Sequence, residues 1–476
     1  METASMMSLS NRLAKRSAKG AAVLALVVAS GLALQGCSTI SKITKREDPE
    51  NQAVASQGQR ISIVAFDQKL TPSKSLKDVG YYLPPAATVA SWPLAGGPVQ
   101  SVQHSNAAVN FQVAWSKSIG AAGKTHTEVV AQPVSDGQRI YTLDGQARVT
   151  AFDVASGAEV WSVDLDPKLK RDKHGFGGGL ALTTDGKLFV TSGYRSINAL
   201  DAASGAIIWQ KPVDTQFHAA PTVDGTHVFA TDVDNQIFAF DQVNGEMKWT
   251  YQAIAEPARI LKSASPVVSG DMVIAPFSSG ELVALSTSTG DPVWEQTLAQ
   301  SARTNALSQI RDIAGRPALY DNMVYAASHS GVFAAMDARS GQTKWQVPAD
   351  SVNSPWVAGD VVFLTSLQGE LMAVSRDSGQ IYWIKDLNDG KQRMKKGFFG
   401  MGREKLVGKV PQWTGPILAS NRLIMVNSDG QAVSYDPNTG AATGELKLGG
   451  AAYIAPIVVG DTLFVVTDDG KLVAIR

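Results

Sequence analysis

The sequence predicts an all-β protein, an eight-bladed β-propeller built from four-stranded antiparallel blades. A β-rich unit recurs from residue 115 onward, and its tryptophans lie roughly 40 to 50 residues apart, which is the period of propeller blades. The repeated segments show no helical periodicity. A lone strand precedes the first copy, and the last copy is one strand short, so the two ends complement each other.

The first 36 residues have the pattern of a secretory signal. Basic residues between 12 and 19 lead into an apolar run at 21–29, which is too short for a membrane-spanning helix. Leu34, Gln35, Gly36 and Cys37 resemble the bacterial lipobox, in which the cysteine is lipidated and becomes the new N-terminus. We therefore expect Cys37, the single cysteine of the chain, to carry the lipid. An ordinary secreted protein with a chance cysteine is the alternative.

By resemblance to lipoprotein sorting rules, the serine after this cysteine favours the outer membrane, with the protein facing the periplasm. Residues 37–60 are polar and predict a flexible lipidated stalk. Residues 61–110 contain one candidate strand at 61–66 and several prolines, which predict an irregular strap lying on the body of the protein. The sequence assigns no function to this strap.

The propeller is expected to span residues 111–476. Its unit reads as an apolar strand, a glycine-containing turn, a strand ending in Asp, a turn ending in Gly, and a third strand ending in Trp, clearest at 185–209. Asp followed by Ser/Thr-Gly favours a tight hairpin, because the carboxylate accepts turn amides and glycine takes a positive φ. Each indole is expected to pack between neighbouring blades. The expected blade tryptophans are Trp115, Trp161, Trp209, Trp249, Trp294, Trp345 and Trp383.

The two ends of the repeat array predict how the ring closes. The seventh copy, ending at 440, lacks the tryptophan, and the eighth stops at 476 before its last strand. Residues 114–120 have the pattern of that missing strand, so the N-terminal strand is expected to complete the C-terminal blade. Seven blades, with two degenerate copies sharing one, is the alternative.

Composition and motifs argue against several functions. Basic and acidic residues are balanced, 43 against 43, so no nucleic-acid partner is expected. One cysteine and six scattered histidines predict neither an internal disulfide nor a metal site. A Gly-x-Ser-x-Gly nucleophile motif is absent from the sequence. We expect no catalytic residues and no cofactor.

Two families share this repeat: the pyrroloquinoline-quinone alcohol dehydrogenases and the BamB family of outer-membrane assembly lipoproteins. The methanol-dehydrogenase type of quinoprotein has a vicinal Cys-Cys disulfide and a Ca²⁺ site, and the sequence shows neither pattern. The chain resembles the BamB family in its lipobox, in residues 114–120 and in the repeats of 110–476. A quinone enzyme and an unrelated binding propeller, such as a sensor ectodomain, remain the alternatives.

The resemblance implies a non-catalytic scaffold subunit of the complex that folds and inserts outer-membrane β-barrel proteins. Its implied partners are the periplasmic domains of the BamA-like barrel subunit and the associated lipoproteins, with the membrane reached through the lipid anchor. Direct binding of nascent outer-membrane proteins is left open.

In the BamB family the partner surface lies on linkers between middle blades. The matching linkers of this sequence point to Arg259, Ile260, Leu261, Lys262, Arg311 and Asp312 as partner-binding residues. An apolar pair with flanking cations and a nearby acid would anchor and orient a partner. An ordinary solvated loop is the alternative.

One segment, between the sixth and seventh copies of the unit, is an insertion that the repeat does not account for. Residues 391–409 carry seven cations and one acid, interrupted by Phe398, Phe399 and Met401. Such a loop could contact anionic lipid or an acidic partner, and a solvated family-specific loop is the alternative.

Overall fold

A computed structural model describes residues 70–97, 103–123, 128–165, 177–256, 260, 263–299, 310–391, 393–395 and 405–476. For 393–395 and 405–407 it describes the backbone alone. The chain divides into the units Met1–Gln68 and Lys69–Arg476, and the described residues all belong to the second. The predicted signal peptide, Cys37 and the stalk lie outside the described residues.

The first strand, β1 (Val113–Ser118), is followed by four sheets of four consecutive antiparallel strands, blades 1 to 4. Blade 1 consists of β2 (Val134–Ser135), β3 (Arg139–Leu143), β4 (Arg148–Asp153) and β5 (Glu159–Asp164). Blade 2 consists of β6 (Gly178–Leu182), β7 (Lys187–Ser192), β8 (Ser196–Asp201) and β9 (Ile207–Pro212). Blade 3 consists of β10 (Thr222–Val223), β11 (His227–Thr231), β12 (Gln236–Asp241) and β13 (Met247–Gln252). Blade 4 consists of β14 (Val267–Ser269), β15 (Met272–Pro276), β16 (Glu281–Ser286) and β17 (Pro292–Thr297).

Four further four-stranded sheets complete the set, so the described chain forms eight blades, as predicted, rather than seven. Blade 5 consists of β18 (Ala318–Tyr320), β19 (Met323–Ala327), β20 (Phe333–Asp337) and β21 (Thr343–Val347). Blade 6 consists of β22 (Trp356–Ala358), β23 (Val361–Thr365), β24 (Glu370–Ser375) and β25 (Ile381–Asp386). The basic insertion supplies a separate hairpin, β26 (Arg393–Lys395) and β27 (Lys405–Val407). Blade 7 consists of β28 (Trp413–Ala419), β29 (Arg422–Asn427), β30 (Gln431–Tyr435) and β31 (Ala442–Lys447). Blade 8 combines β32 (Ile457–Val459), β33 (Thr462–Thr467) and β34 (Lys471–Ile475) with β1.

The first strand of each blade faces the centre of the ring. First strands of successive blades contact one another from β2 through β28, which places them around a central channel. In blade 2 the first three strands are almost entirely buried, whereas β9 alternates between exposed and covered residues. The hydrophobic core therefore lies between the faces of neighbouring blades, and the fourth strands form the outer wall.

Strand β1 closes the ring, as predicted. It pairs antiparallel with β34, with Trp115 opposite Ala474 and Ser118 opposite Lys471. The backbone N–H of Gln112 donates to the carbonyl of Arg476 at 2.9 Å, and the reverse bond is also 2.9 Å. The last blade thus takes its fourth strand from the opposite end of the propeller sequence, so it is four-stranded like the other seven.

The predicted strand boundaries at the tryptophans are wrong. Trp209 lies inside β9 rather than at its end, and in blade 2 the fourth strand of the predicted four-stranded blade is β6, which precedes the segment 185–209. The outer strand continues through Gln210 and Lys211, whose polarity suits a solvent-facing wall. The repeat pattern did not locate first strands such as β10, because they pair over only two residues, too few to show an alternating pattern.

The tryptophans pack between blades, as predicted. Trp161 of blade 1 lies over Gly205 of blade 2, where a Cβ would stand 2.6 Å from the indole Cε3. Its Nε1 donates to the carbonyl of Ala202 at 3.1 Å. Gly205 has a φ of +76° and ends the hairpin in which Asp201 Oδ1 accepts the backbone N–H of Ser204 at 2.8 Å. A small residue with positive φ is therefore required at this contact.

The two faces of the ring differ in the loops that form them. Inter-blade linkers return over the turn between the second and third strands: Leu165 N–H donates to the carbonyl of Ala147, and Ala253 N–H to that of Asn235, each at 3.0 Å. We name this the linker face. Because adjacent strands are antiparallel, the other hairpins lie at the opposite end of each blade, which we name the hairpin face.

The described part of the strap, residues 70–97 and 103–110, runs along the hairpin face. It holds one short 3₁₀ helix, Lys74–Leu76, and otherwise forms isolated bridges, including Val89 with Gly460 and Leu94 with Ala181. Trp92, 1% exposed, exchanges backbone bonds of 2.9 and 2.8 Å with Ser135. Within the described residues, no helix combines the length and apolar character that crossing a membrane requires.

Candidate partner-binding surface

The linker between blades 4 and 5 is fixed to both blades. Leu298 N–H donates to the carbonyl of Gly280 at 2.7 Å where the linker leaves blade 4. Further along, Ile313 N–H donates to the carbonyl of Phe277 at 3.3 Å, and the carbonyl of Asp312 accepts from His329 N–H at 2.8 Å. The segment carrying Asp312 is therefore held between the second-to-third-strand turns of two blades, on the linker face.

The structure brings the two predicted stretches together. The backbone N–H of Ile260 donates to Oδ2 of Asp312 at 3.4 Å, across 52 positions of sequence. Asp312 is only 4% exposed, so its carboxylate points into the protein. This geometry makes Asp312 a residue that positions the Ile260 linker. Arg259, Leu261 and Lys262 lie outside the described residues.

Arg311, next to that buried acid, is exposed. Its backbone lies on the turn before β16, where a Cβ on Gly280 would stand 3.2 Å from the Cβ of Arg311. The exposed side chain of Arg311 therefore starts from a fixed point of the linker face.

Ile254 is a surface residue that the sequence reasoning missed. It is 61% exposed, but its backbone is held on both sides: its N–H donates to Oε2 of Glu281 at 3.2 Å, and its carbonyl accepts from Asn235 Nδ2 at 2.6 Å. Glu281 is itself 6% exposed and accepts Ser279 Oγ at 2.6 Å. An exposed isoleucine on a fixed backbone is a pre-organised apolar anchor. The sequence signal was an apolar residue in a linker directly after an outer strand.

We name the blade 4 linker surface as the set Ile254, Ile260 and Arg311. Ile254 contacts Glu281, and Arg311 contacts the adjacent residue Gly280 in the same turn. Two acids, Glu281 and Glu295, lie close together near this surface. Burial, together with the charge of Glu281, raises the pKa of the Glu295 carboxyl. The surface thus combines two apolar side chains, an exposed cation and buried acids that hold the backbone. This combination suits docking of a protein segment.

Metal binding finds no support in the described part of the chain, where no group of three or more His, Cys, Asp or Glu side chains could hold an ion. One described histidine, His227, makes a local contact, with its Nδ1 3.1 Å from Asp224. In the basic insertion, Lys391 Nζ lies 4.8 Å from the ring centre of Trp413, a cation–π contact at the base of the hairpin.

The family model for "Outer membrane protein assembly factor BamB" matches residues 145–385 and 388–476, well over half of the chain. The chain belongs to the BamB family. The resemblance drawn from the sequence is thereby confirmed.

Named relatives in this family match over most of their lengths. The BamB of Burkholderia pseudomallei is 26% identical over 370 residues, covering 77% of this chain and 88% of the relative. The BamB of Shewanella oneidensis is 22% identical over 408 residues, covering 84% of this chain and 98% of the relative.

Solved structures with this fold include a BamB protein and a quinoprotein alcohol dehydrogenase. The BamB of Moraxella catarrhalis superposes with a TM-score of 0.61 at 19% identity, covering 76% of this chain and 99% of that one. The quinohemoprotein alcohol dehydrogenase of Comamonas testosteroni superposes with a TM-score of 0.61 at 16% identity, covering 82% and 81%. At these identities the likeness shows the fold alone.

The lining of the central channel can be compared with the calcium site of the methanol-dehydrogenase type of quinoprotein. Ca²⁺ takes about six to eight oxygen ligands, mainly carboxylates and carbonyls. The described residues lining the channel include no aspartate and no glutamate. This lining does not fit the calcium and quinone pair of the methanol-dehydrogenase type.

Proposed function

We propose that this chain is a non-catalytic scaffold subunit of the outer-membrane β-barrel assembly complex, and that it binds the periplasmic domains of the barrel subunit. Its membership of the BamB family supports the process. The bond between Ile260 and Asp312 on the linker face supports the surface, because it holds two blade linkers in one arrangement.

The proposed location is the periplasmic side of the outer membrane. Lipidation of Cys37 would place the propeller on a stalk of residues 37–60, and stable anchoring takes more than one acyl chain. In this arrangement the propeller reaches the barrel subunit by lateral diffusion along the same membrane.

In this proposal, the partner binds to apolar side chains whose backbone does not rearrange. Ile254 and Ile260 insert into the partner while their backbones stay bound to Glu281 and Asp312. Arg311 orients the partner through an acidic group. The ordering cost of association is reduced because the linkers are already fixed.

The test is affinity capture from detergent-solubilised envelopes with the intact lipoprotein as bait, followed by mass spectrometry. The surface variant is Ile254→Asp with Arg311→Glu. Its matched control is Val243→Asp with Arg339→Glu, which makes the same two changes at exposed positions of the hairpin face. Wild type and control are expected to recover a large outer-membrane barrel protein, and the surface variant roughly tenfold less.

Two further outcomes bear on the proposal. If Asp312 acts by positioning Ile260, Asp312→Ala lowers recovery and Asp312→Asn, which keeps an acceptor oxygen, restores most of it. If the wild type recovers no barrel protein, the scaffold proposal fails, and quinone-dependent alcohol oxidation becomes the activity to assay.

A further inference from the structure

The central channel is lined by a ring of residues that precede prolines. Seven blades carry a proline at or just before the first strand, and the residue before each proline lines the channel. A residue other than glycine before proline is restricted to extended backbone, which fixes these positions except Gly415, where φ is +120°. Six of the seven are uncharged: Gln132, Ala220, Ser265, Ser354, Gly415 and Ala455.

The seventh residue of this ring is Arg316, in blade 5. It is 9% exposed, and it makes no hydrogen bond or ion pair to any described residue; Nη2 is fully covered without a partner. Among the described residues that line the channel there is no carboxylate to neutralise it. Burying an unpaired guanidinium is costly, so a residue of this kind is informative.

The strap is shaped to accommodate this side chain. Gly96 lies directly over Arg316, where a Cβ would stand 2.9 Å from Nη1 and 3.0 Å from Cδ. Its neighbour Gly97 lies against Trp92, where a Cβ would stand 3.2 Å from Cζ2. Both glycines have positive φ, +83° and +102°, so the turn that covers the channel leaves room for the arginine and the indole.

Trp92 supplies a second unmatched donor in the same channel. Its Nε1 is fully covered and has no hydrogen-bond partner among the described residues, and the side chain lines the cavity. A buried indole N–H ordinarily finds an acceptor. The channel thus holds two hydrogen-bond donors, the Arg316 guanidinium and the Trp92 indole N–H. The described lining includes no acid that could accept from them.

The charge of Arg316 persists at neutral pH. Burial lowers the pKa of its guanidinium to about 10, which leaves it protonated in the periplasmic range. The cavity has about 130 Å³ of space, enough for a small oxyanion.

We infer that the channel is a binding site for a small oxyanion, a carboxylate or phosphate, held by the Arg316 guanidinium with Trp92 Nε1 as a further donor. Arg316 offers a planar fork of donors that matches either ligand. The inference does not depend on the proposed scaffold function, because the residues that line the channel are different from those of the blade 4 linker surface.

Calorimetric titration of the intact chain in detergent tests the site, with inorganic phosphate and acetate as separate probes at constant ionic strength. Arg316→Gln is expected to weaken binding at least ~10-fold, the loss typical of a charge-assisted hydrogen bond. Arg316→Lys keeps the charge and is expected to weaken it less, and Trp92→Phe a few-fold. The matched control, Arg339→Gln at an exposed hairpin, is expected to bind as wild type does.

The two probes separate the ligand classes: heat from phosphate alone supports a phosphate ligand, and heat from acetate supports a carboxylate. No saturable binding of either probe to the wild type, or equal binding to wild type and Arg316→Gln, overturns the inference. A second measurement avoids the variants: anomalous scattering from wild-type crystals grown in bromide should show an ion within hydrogen-bond distance of Arg316, and its absence there also overturns the site.

Discussion

The ring of Phe111 lies against Gly444, with its nearest carbon 3.7 Å from the point where a Cβ would stand. Gly444 is paired with Ser434, as Trp209 is paired with Ala199, so it occupies the position of a blade tryptophan. Such a tryptophan packs on the hairpin glycine of the next blade. Blade 8 has no hairpin there, because its outer strand comes from β1, and Phe111 occupies the space instead.

Replacing Phe111 with Ala should therefore destabilise the closure of the ring. Phe111 is 9% exposed and lies 5.2 Å from the guanidinium carbon of Arg422. Removing a buried phenyl ring typically costs ~3 kcal/mol or more. Urea unfolding should show this loss. Val109→Ala, at a 65% exposed position nearby, should change the free energy of unfolding by less than ~0.5 kcal/mol; equal effects of the two changes would contradict this role of Phe111.

The repeat and its closure were predictable because they depend on residue types that few other positions require. Indole rings and positive-φ glycines mark seven of the eight joints, and Trp115 marked the strand that completes blade 8. The first strands were not predictable, since pairing in β10 covers two residues and is stabilised by neighbouring blades. Phe111 showed no signal either, because its partner Gly444 is distant in sequence.

The candidate surface was predictable in its location and less so in its chemistry. Matching of linkers found Ile260 and Asp312, and the structure joins them. Sequence alone could not show that Asp312 faces inward, nor that Ile254 faces outward, because burial in a linker depends on which turn it crosses. Arg316 lay beside the predicted stretch, and only the channel geometry distinguishes it.

The contact between Gly205 and Trp161 should tolerate no side chain. Gly205→Ala combines the cost of a left-handed backbone, about 1–2 kcal/mol, with a clash against the indole of about 1–3 kcal/mol. Gly186→Ala is the matched control, since Gly186 also has a positive φ, +82°, but no atom within 4 Å of its Cβ position. Thermal unfolding should therefore show a clearly larger loss for Gly205→Ala. A similar loss in both variants would mean that the backbone conformation alone requires glycine.

The indole hydrogen bonds can be tested apart from indole packing. Trp345 Nε1 donates to the carbonyl of Arg376 at 2.7 Å, whereas Trp115 Nε1 has no partner among the described residues. Both Trp→Phe changes remove a similar part of the ring. Trp345→Phe should lower the free energy of unfolding by about 1 kcal/mol more than Trp115→Phe. Chemical denaturation of the two variants checks this, and equal losses would show that packing alone accounts for both residues.

Acid sensitivity should arise partly from the repeated hairpins. The Ser204 hydroxyl, and then its backbone N–H, hold the pKa of Asp201 below its usual 3.8, and Ser156 and Ser340 do the same for Asp153 and Asp337. The unfolded chain therefore binds more protons than the folded one below pH 3.8, so this stabilisation is present above that pH and is lost as pH falls through the folded-state pKa.

The triple variant Asp153→Asn, Asp201→Asn and Asp337→Asn keeps acceptor oxygens in these hairpins but does not titrate. Its unfolding midpoint should fall less than that of the wild type between ~pH 6 and ~pH 2.5. Asp232→Asn provides a control of opposite sign, because burial raises the pKa of Asp232 and its protonation favours the folded state. That variant should therefore lose more stability on acidification than the wild type. Parallel pH profiles of wild type and triple variant would show that the hairpin aspartates contribute nothing to acid unfolding.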